Sequence, residues 1–157
     1  PTRFHNSVHN TAAGYLSIVT ANRGVHTAIA AGRETAAMAV LEAACMVAAG
    51  LGPVLTIIVE EALPDVLAAD GGRYEPLAVG LLLATEQAGR PRLTLRRGVV
   101  DVTLDPAQSP CAPALALHEA IVRATSEPRV VPLGPVAEGG QTWYAEVEAG
   151  DEHAAAT

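Results

Sequence analysis

The sequence predicts an α/β fold, a layered domain with a mixed sheet and a buried helix, and two segments carry that prediction. Residues 54–59 form a continuous apolar run with three successive β-branched residues, which is typical of a strand covered on both faces. Residues 35–49 hold one charge, Glu42, so they are expected to form a helix buried on most sides. A short strand at 27–31 would complete a strand–helix–strand unit with a right-handed parallel crossover.

The other segments follow from periodicity and from turn residues. Apolar positions three to four apart favour a helix at 6–20, weakened by Gly14, and Pro113 opens a second helix. Strands are expected at the segments 77–85, 92–96 and 142–147, with 99–104 as a candidate extension. The GRPR segment before the alternating strand would close an antiparallel pair with the strand preceding it.

Chain ends and composition limit the class of protein. The chain starts at Pro1 without a Met, so we expect residues 1–149 to be one domain lacking an N-terminal segment, followed by a flexible tail at 150–157. A net charge of −7 argues against a nucleic-acid partner. No apolar run is long enough for a membrane span. Cys45 and Cys111 are interpreted as reduced packing residues of a cytoplasmic protein.

The block FHNSVHNTAAGYLSIVTANRGVHTAIAAGRETAAMAVLEAA carries a family resemblance. Asn10, Gly14, Ser17 and Ile18 match an N-x-x-x-G-x-x-S/T-I helix, and Gly24 matches the turn after it. The block resembles the β-ketoacyl synthase-like N-terminal domain family of the thiolase-like superfamily, including chain-length-factor-like subunits of aryl-polyene and type II polyketide systems. The likeness is strong over residues 1 to about 60. It implies a partial thiolase-like (ketosynthase-type) layered α/β fold.

The resemblance also places Arg33 where a ketosynthase carries its nucleophilic Cys, nine residues after Gly24. A helix N-terminus lowers a thiol's pKa and so supplies a thiolate, whereas a guanidinium offers no nucleophile. The cation also opposes the helix dipole unless Glu34 or a partner's carboxylate offsets it. Contact with another chain or filling of the former site stands beside simple drift at a dead site. No catalytic residue and no cofactor are implied.

The function that the resemblance implies is therefore non-catalytic. A chain-length-factor-like subunit would pair with an active ketosynthase in polyketide or fatty-acyl (polyene) synthesis and would meet an acyl carrier protein. The partner would supply the Cys and the histidines, and this chain would close the acyl tunnel. The alternatives are an acyltransferase or decarboxylase of the same superfamily and a pseudo-enzyme homodimeric scaffold.

Two histidines near the N-terminus have the spacing of zinc ligands. His5 and His9 would share one helix face, but no third ligand follows nearby in the sequence, so we favour packing or an interface over a metal site. The resemblance puts this segment near a dimer interface. His5, Asn6, His9 and Asn10, with Arg33 and Glu34, are the predicted partner contacts.

Charged residues later in the chain have weaker interpretations. Arg92 and Arg96 share one face of the alternating strand, and with Arg97 they could dock an acidic acyl carrier protein. A strand edge protected by charge is the alternative. Glu60 and Glu61 follow a predicted strand as a carboxylate pair, but neighbours on an extended chain point opposite ways, so we favour solvated loop charges.

Overall fold

The computed structural model describes residues 10–62, 64, 66, 74–101, 104, 108–137 and 139–151. The chain divides into two compact units, 1–30 and 31–157. The described part of the first unit holds helix α1, Thr11–Val19, which ends where the Thr20 hydroxyl donates to the Leu16 carbonyl at 2.7 Å. The predicted helix at 6–20 is confirmed from Thr11 onward, and residues 6–9 lie outside the described part. The segment 27–31, where a short strand was expected, has no regular secondary structure.

The second unit contains two helices and five strands among its described residues. A 3-10 turn (Gly32–Glu34) leads into helix α2 (Thr35–Ala48). Three strands follow: β1 (Val54–Glu60), β2 (Leu77–Leu83) and β3 (Arg92–Gly98). Helix α3 (Ala112–Val122) comes next, and the strands β4 (Arg129–Pro132) and β5 (Thr142–Glu148) complete the unit. The strands form two antiparallel sheets, one of β1 and β2 and one in the order β3–β5–β4. The layered α/β fold class predicted from the sequence is confirmed.

Small side chains explain how α2 lies on the first sheet. Its buried residues are Ala36, Ala37, Val40 and Ala43, three of them alanines, so the helix backbone approaches β1 and β2 closely. The helix stops before Gly50, whose φ of +77° is the left-handed conformation that glycine accepts without strain. The predicted helix is thereby confirmed, and it is at least partly covered on most sides, since Glu42, Cys45 and Ala48 are its exposed residues.

Helix α3 connects the two sheets through one core. It contacts β2 of the first sheet and β4 and β5 of the second, and Pro113 stands in its first turn as predicted. Leu117 of α3 is fully buried, as are Val40, Leu133 and Val147. The two sheets therefore share one apolar interior, because residues from both strand groups and both helices belong to a single buried cluster.

The first sheet corrects the prediction of a central parallel strand. β1 pairs antiparallel with β2, Val54 opposite Leu83, and no parallel crossover occurs among the described residues. Ile58 on its inner face is 2% exposed, but Leu55 and Ile57 on the outer face are 59% and 51% exposed. The β-branched run reflects strand propensity, and it does not report burial on both faces within this chain.

The second sheet corrects two further predictions. β3 pairs with β5, Arg92 opposite Glu148, so the GRPR segment does not join an antiparallel pair with β2. Strand β4, Arg129–Pro132, lies in a Pro- and Gly-rich segment for which the sequence analysis predicts no strand. Of the candidate extension at 99–104, the described residues 99–101 and 104 have no regular structure. The strands at 77–85, 92–96 and 142–147 are confirmed with small shifts of their ends.

The last described residue of the chain contacts the turn before β3. The Asp151 carbonyl accepts a hydrogen bond from the Gly89 amide at 3.2 Å, so the chain is attached to this turn up to residue 151.

Across the part of the chain that the structure describes, no helix has the length and apolarity needed to cross a membrane.

Candidate functional site

The turn that carries Arg33 is built by Thr35 and Gly32. The Thr35 hydroxyl donates to the Gly32 carbonyl at 2.7 Å and accepts from the Ala31 amide at 3.0 Å. Gly32 has a φ of +55°, which favours glycine because a Cβ is strained in that region. Thr35 is the first residue of α2, so Arg33 is presented immediately before the helix N-terminus.

The half-buried Arg33 side chain connects two segments that are distant in sequence. Its Nη2 donates to the Tyr74 phenol oxygen at 3.0 Å, and its Nη1 donates to the Gln108 carbonyl at 3.4 Å. Tyr74 precedes β2, and Gln108 lies in the segment leading into α3. Both acceptors are neutral oxygens. The guanidinium thus joins the starts of two elements at the position where the family resemblance expects a sulfur.

Cys111 is the buried thiol of this region. It lies at the start of α3, where its Sγ is 3.6 Å from the Val59 carbonyl oxygen and 3.7 Å from Glu60 Oε2, and its amide donates to Ser109 Oγ at 3.1 Å. A helix N-terminus lowers a thiol pKa. Burial outweighs that effect and, with the Glu60 carboxylate adding to it, raises the pKa of Cys111 to about 11. This thiol stays protonated at neutral pH and is a packing residue, as predicted.

Cys45, by contrast, is exposed on α2, so the prediction that it is a packing residue is wrong. The apolar run around it misleads because Cys45 falls on the narrow exposed stripe of α2, between Glu42 and Ala48. These are the two cysteines of the chain. Neither therefore lies at the N-terminal turn of α2, where a ketosynthase-like nucleophile would stand.

The side chains of Glu60 and Glu61 have different surroundings, as expected for adjacent residues of an extended segment. Glu61 is exposed, as expected for a solvated charge. Glu60 is the last residue of β1 and half-buried, and it faces the Cys111 thiol instead of open solvent. The two carboxylates therefore do not act as a pair.

The predicted partner contacts fall in different parts of the chain. His5, Asn6 and His9 lie outside the described residues, and Asn10 is exposed at the start of α1. Glu34 is half-buried and directly precedes α2. Among the residues that the structure describes, no three His, Cys, Asp or Glu side chains gather closely enough to hold a metal ion.

The predicted docking arginines separate onto the two faces of the second sheet. On the outer face, Arg92 Nε lies 2.9 Å from Glu148 Oε1 and Arg96 Nε lies 2.7 Å from Glu146 Oε2. Arg97 belongs to the alternate face and is opposite Trp143 in the strand register. Two of the three cations are therefore neutralised by carboxylates of β5, and Arg97 is not part of that charged face.

Sequence reasoning missed the residues that hold Arg33 and Cys111 in place. Tyr74 is 41 residues from Arg33, and Gln108 is 75 residues away. Tyr74 follows a glycine-rich segment, and Gln108 offers only its backbone carbonyl, so neither stands in a motif. The one usable signal was Pro113, which predicts a helix start and so places Cys111 at a helix end.

The fold and this turn define a class of protein. The chain belongs to the β-ketoacyl synthase, N-terminal domain family, whose model matches residues 1–129. The family predicted from the sequence is thereby confirmed, and the fold is thiolase-like, of the ketosynthase type.

A solved structure is similar to this chain over nearly its whole length. It is a ketosynthase (ApeO) in complex with its chain length factor (ApeC) from Xenorhabdus doucetiae, and the matched chain has 27% sequence identity and a TM-score of 0.68. The match covers 93% of this chain and 57% of that one, so the chain spans somewhat more than half the length of its structural relative. A search of functionally curated proteins found no match.

Proposed function

We propose that this chain is a non-catalytic, chain-length-factor-like subunit that pairs with an active ketosynthase in cytoplasmic polyketide or fatty-acyl (polyene) synthesis. Its contribution is geometric. The partner carries the nucleophilic Cys and holds the growing thioester, and the α2 region of this chain closes the tunnel into which the acyl chain extends. A fixed closure limits the number of elongation cycles, because a longer chain has no space to enter.

Arg33 is the observation that carries the proposal. Acyl transfer through a covalent thioester needs a thiolate at the helix N-terminus, and this turn presents a guanidinium committed to Tyr74 and Gln108. Cys111 is held protonated by burial, and Cys45 lies on α2 away from the turn. The frame of the nucleophile turn is kept while its reactive group is replaced.

The first sheet supplies a second, independent support. Its outer face consists of Leu55, Ile57, Val59 and Leu82, with Ala78 and Gly80 between them, and all six residues are exposed. A contiguous apolar face of this kind marks a protein–protein contact surface. The solved relative is part of a two-protein complex, which supports a protein partner here as well.

The alternatives differ in what the chain does alone. An acyltransferase or decarboxylase would turn over acyl substrates without a partner, and a homodimeric scaffold would form a symmetric dimer. Around Arg33 the Thr35 hydroxyl donates to the Gly32 carbonyl and the Cys111 thiol is held protonated, which disfavours the first alternative. The similarity to a member of a ketosynthase–chain length factor complex favours a heterodimer over the second.

Co-expression with the ketosynthases of the same organism tests the pairing. We expect a one-to-one complex by size-exclusion chromatography with light scattering, and polyketone or polyene products of defined length only when both chains are present. A chain that stays monomeric or dimerises with itself in the presence of every one of these ketosynthases would rule the proposal out.

Variants of Arg33 separate filling of the former site from contact with the partner. Arg33→Met removes two hydrogen bonds, so filling predicts that the isolated chain loses about 1–2 kcal/mol of unfolding free energy while the complex still forms. Arg33→Lys should lose nearly as much, because an ammonium cannot reproduce the two-pronged guanidinium. Arg123→Met, at an exposed position after α3, is the matched control. Weakened pairing without loss of stability would instead assign Arg33 to the interface.

Carrier-protein docking remains a proposal with a narrower basis than the sequence suggested. Arg92 and Arg96 are paired with carboxylates, which reduces their attraction for an acidic carrier protein. Replacing both with Gln is therefore expected to change carrier binding by less than about threefold. A tenfold loss, measured by titration of an acyl carrier protein on the complex, would show that the pairs open on docking.

A further inference from the structure

A cleft of about 210 Å³ opens between the start of α2, the end of β3 and the start of β5. Its lining includes Glu34, Met38, Leu41, Arg97, Gly134 and Trp143. Drug-sized ligands occupy cavities of roughly 300–1,000 Å³, so this volume suits a smaller molecule.

The floor of the cleft is apolar and its wall is held rigid. Met38 and Leu41 are three residues apart on α2 and so lie on one helix face, and Trp143 adds an aromatic surface from β5. On the wall, the buried Thr142 hydroxyl donates to the Gly134 carbonyl at 2.7 Å. Gly134 leaves space that a side chain would occupy, because a Cβ there would meet Glu34 Cγ at 3.8 Å without a clash.

The rim carries one cation and one anion that do not neutralise each other. Arg97 is exposed and follows Leu93 and Leu95 along one side of β3, and Glu34 lines the cleft from the residue before α2. Within the part of the chain that the structure describes, neither residue takes part in an ion pair. An anionic ligand would be repelled by Glu34, and a cationic ligand would be repelled by Arg97.

We propose that this cleft binds a small zwitterion with an apolar body, specifically an α-amino acid with a branched aliphatic side chain such as leucine. The carboxylate meets Arg97, the ammonium meets Glu34, and the side chain lies against Met38 and Trp143. One molecule with both charges satisfies both rim residues, and the apolar floor accepts a side chain of four carbons. This inference does not depend on the proposed pairing with a ketosynthase. Affinity is expected in about the high-micromolar to millimolar range for so few atoms.

Trp143 makes the binding directly measurable, because it is the single Trp of the chain. L-Leucine is added to the full-length protein while fluorescence is excited where only Trp absorbs. We expect a saturable change. N-acetyl-L-leucine lacks the cation and L-leucinamide lacks the anion, so each should bind about tenfold more weakly or not at all. No saturable change with leucine, or equal binding of either analogue, overturns the proposal.

Variants locate the binding site. Arg97→Gln and Glu34→Gln should each weaken leucine binding about tenfold, and Gly134→Val should abolish it by filling the space beside Glu34. Arg96→Gln, the next residue on the opposite face of β3, is the matched control and should bind as the parent chain does. Far-UV circular dichroism confirms that each variant is folded. Undiminished binding by folded Arg97→Gln or Gly134→Val would contradict the assignment, and since pairing with a ketosynthase is not measured here, it would leave the proposed function untouched.

Discussion

The outer faces of the two sheets differ in polarity. The face of β3 and β5 carries a charged ladder, Arg92 with Glu148 and Arg96 with Glu146. The face of β1 and β2 carries no charge and exposes Ile57 and its apolar neighbours. Both sheets cover their inner faces with the same core. The charged outer face is suited to contact with water, whereas the apolar outer face has the character of a surface that binds protein.

The shared core gives the largest expected effect. Leu117 is 0% exposed and contacts the region where both sheets meet α3, so Leu117→Ala should lower the free energy of unfolding by about 2–5 kcal/mol. Chemical denaturation followed by circular dichroism measures this. Val122→Ala on the exposed face of the same helix is the control and should change stability little. A loss below about 1 kcal/mol for Leu117→Ala would mean that the two sheets do not depend on one interior.

The next largest effect is a dependence of stability on pH, caused by the Cys111 thiol, which lies beside the end of β1. Its folded pKa of about 11 lies above the value of 9.0 for a free thiol, so its contribution is complete below pH 9 and is lost as pH rises through 11. The loss is on the order of 2–3 kcal/mol. The chain has no lysine, which leaves few other groups that titrate in this window.

Denaturant midpoints at intervals between pH 8 and 11 test this expectation. Cys111→Ala should remove the slope, whereas Cys45→Ala, with its exposed thiol, should keep it. An unchanged slope in Cys111→Ala would show that another group governs alkaline unfolding.

The apolar outer face of the first sheet is tested by a charge. Ile57→Glu should change the stability of the isolated chain by less than about 1 kcal/mol, because the side chain is already half exposed. Its affinity for the ketosynthase should fall at least about tenfold, since a carboxylate would be buried unpaired in the complex. Arg96→Gln on the other sheet is the control, with no change in affinity expected. Equal affinities for parent and Ile57→Glu would mean that the partner does not cover this face.

The charged ladder gives the smallest effect. A double-mutant cycle of Arg92→Gln and Glu148→Gln should yield a coupling energy below about 1 kcal/mol that shrinks at high salt, because both side chains are accessible to solvent. A coupling energy above about 2 kcal/mol would mean that this ion pair contributes as much to the free energy of unfolding as a buried core residue does.

Local features of the sequence predicted most of the elements and missed how they pair. A nearly uncharged apolar run located α2, and Pro113 located the start of α3. Pairing depends on contacts between distant residues, so the continuous apolar run of β1 was interpreted as a doubly covered parallel strand when Leu55 and Ile57 are exposed. Strand β4 was missed because it is four residues long and sits among prolines.

The candidate site likewise combines a residue that the sequence pointed to with contacts that it could not predict. Arg33 was singled out by the family resemblance, which places the nucleophile position nine residues after Gly24. Its hydrogen bonds to Tyr74 and Gln108, and the cleft formed by Glu34, Arg97 and Trp143, come from segments that meet only in the folded chain. No periodicity or motif connects those residues.

Intact-protein mass spectrometry after exposure to acyl and malonyl carrier substrates tests the central claim most directly. The account predicts that the mass of this chain is unchanged both alone and in the complex, and that the acyl group appears on the partner ketosynthase. A stable acyl adduct on this chain alone would contradict the proposed non-catalytic role, which assigns Arg33 to the position where such an adduct needs a sulfur.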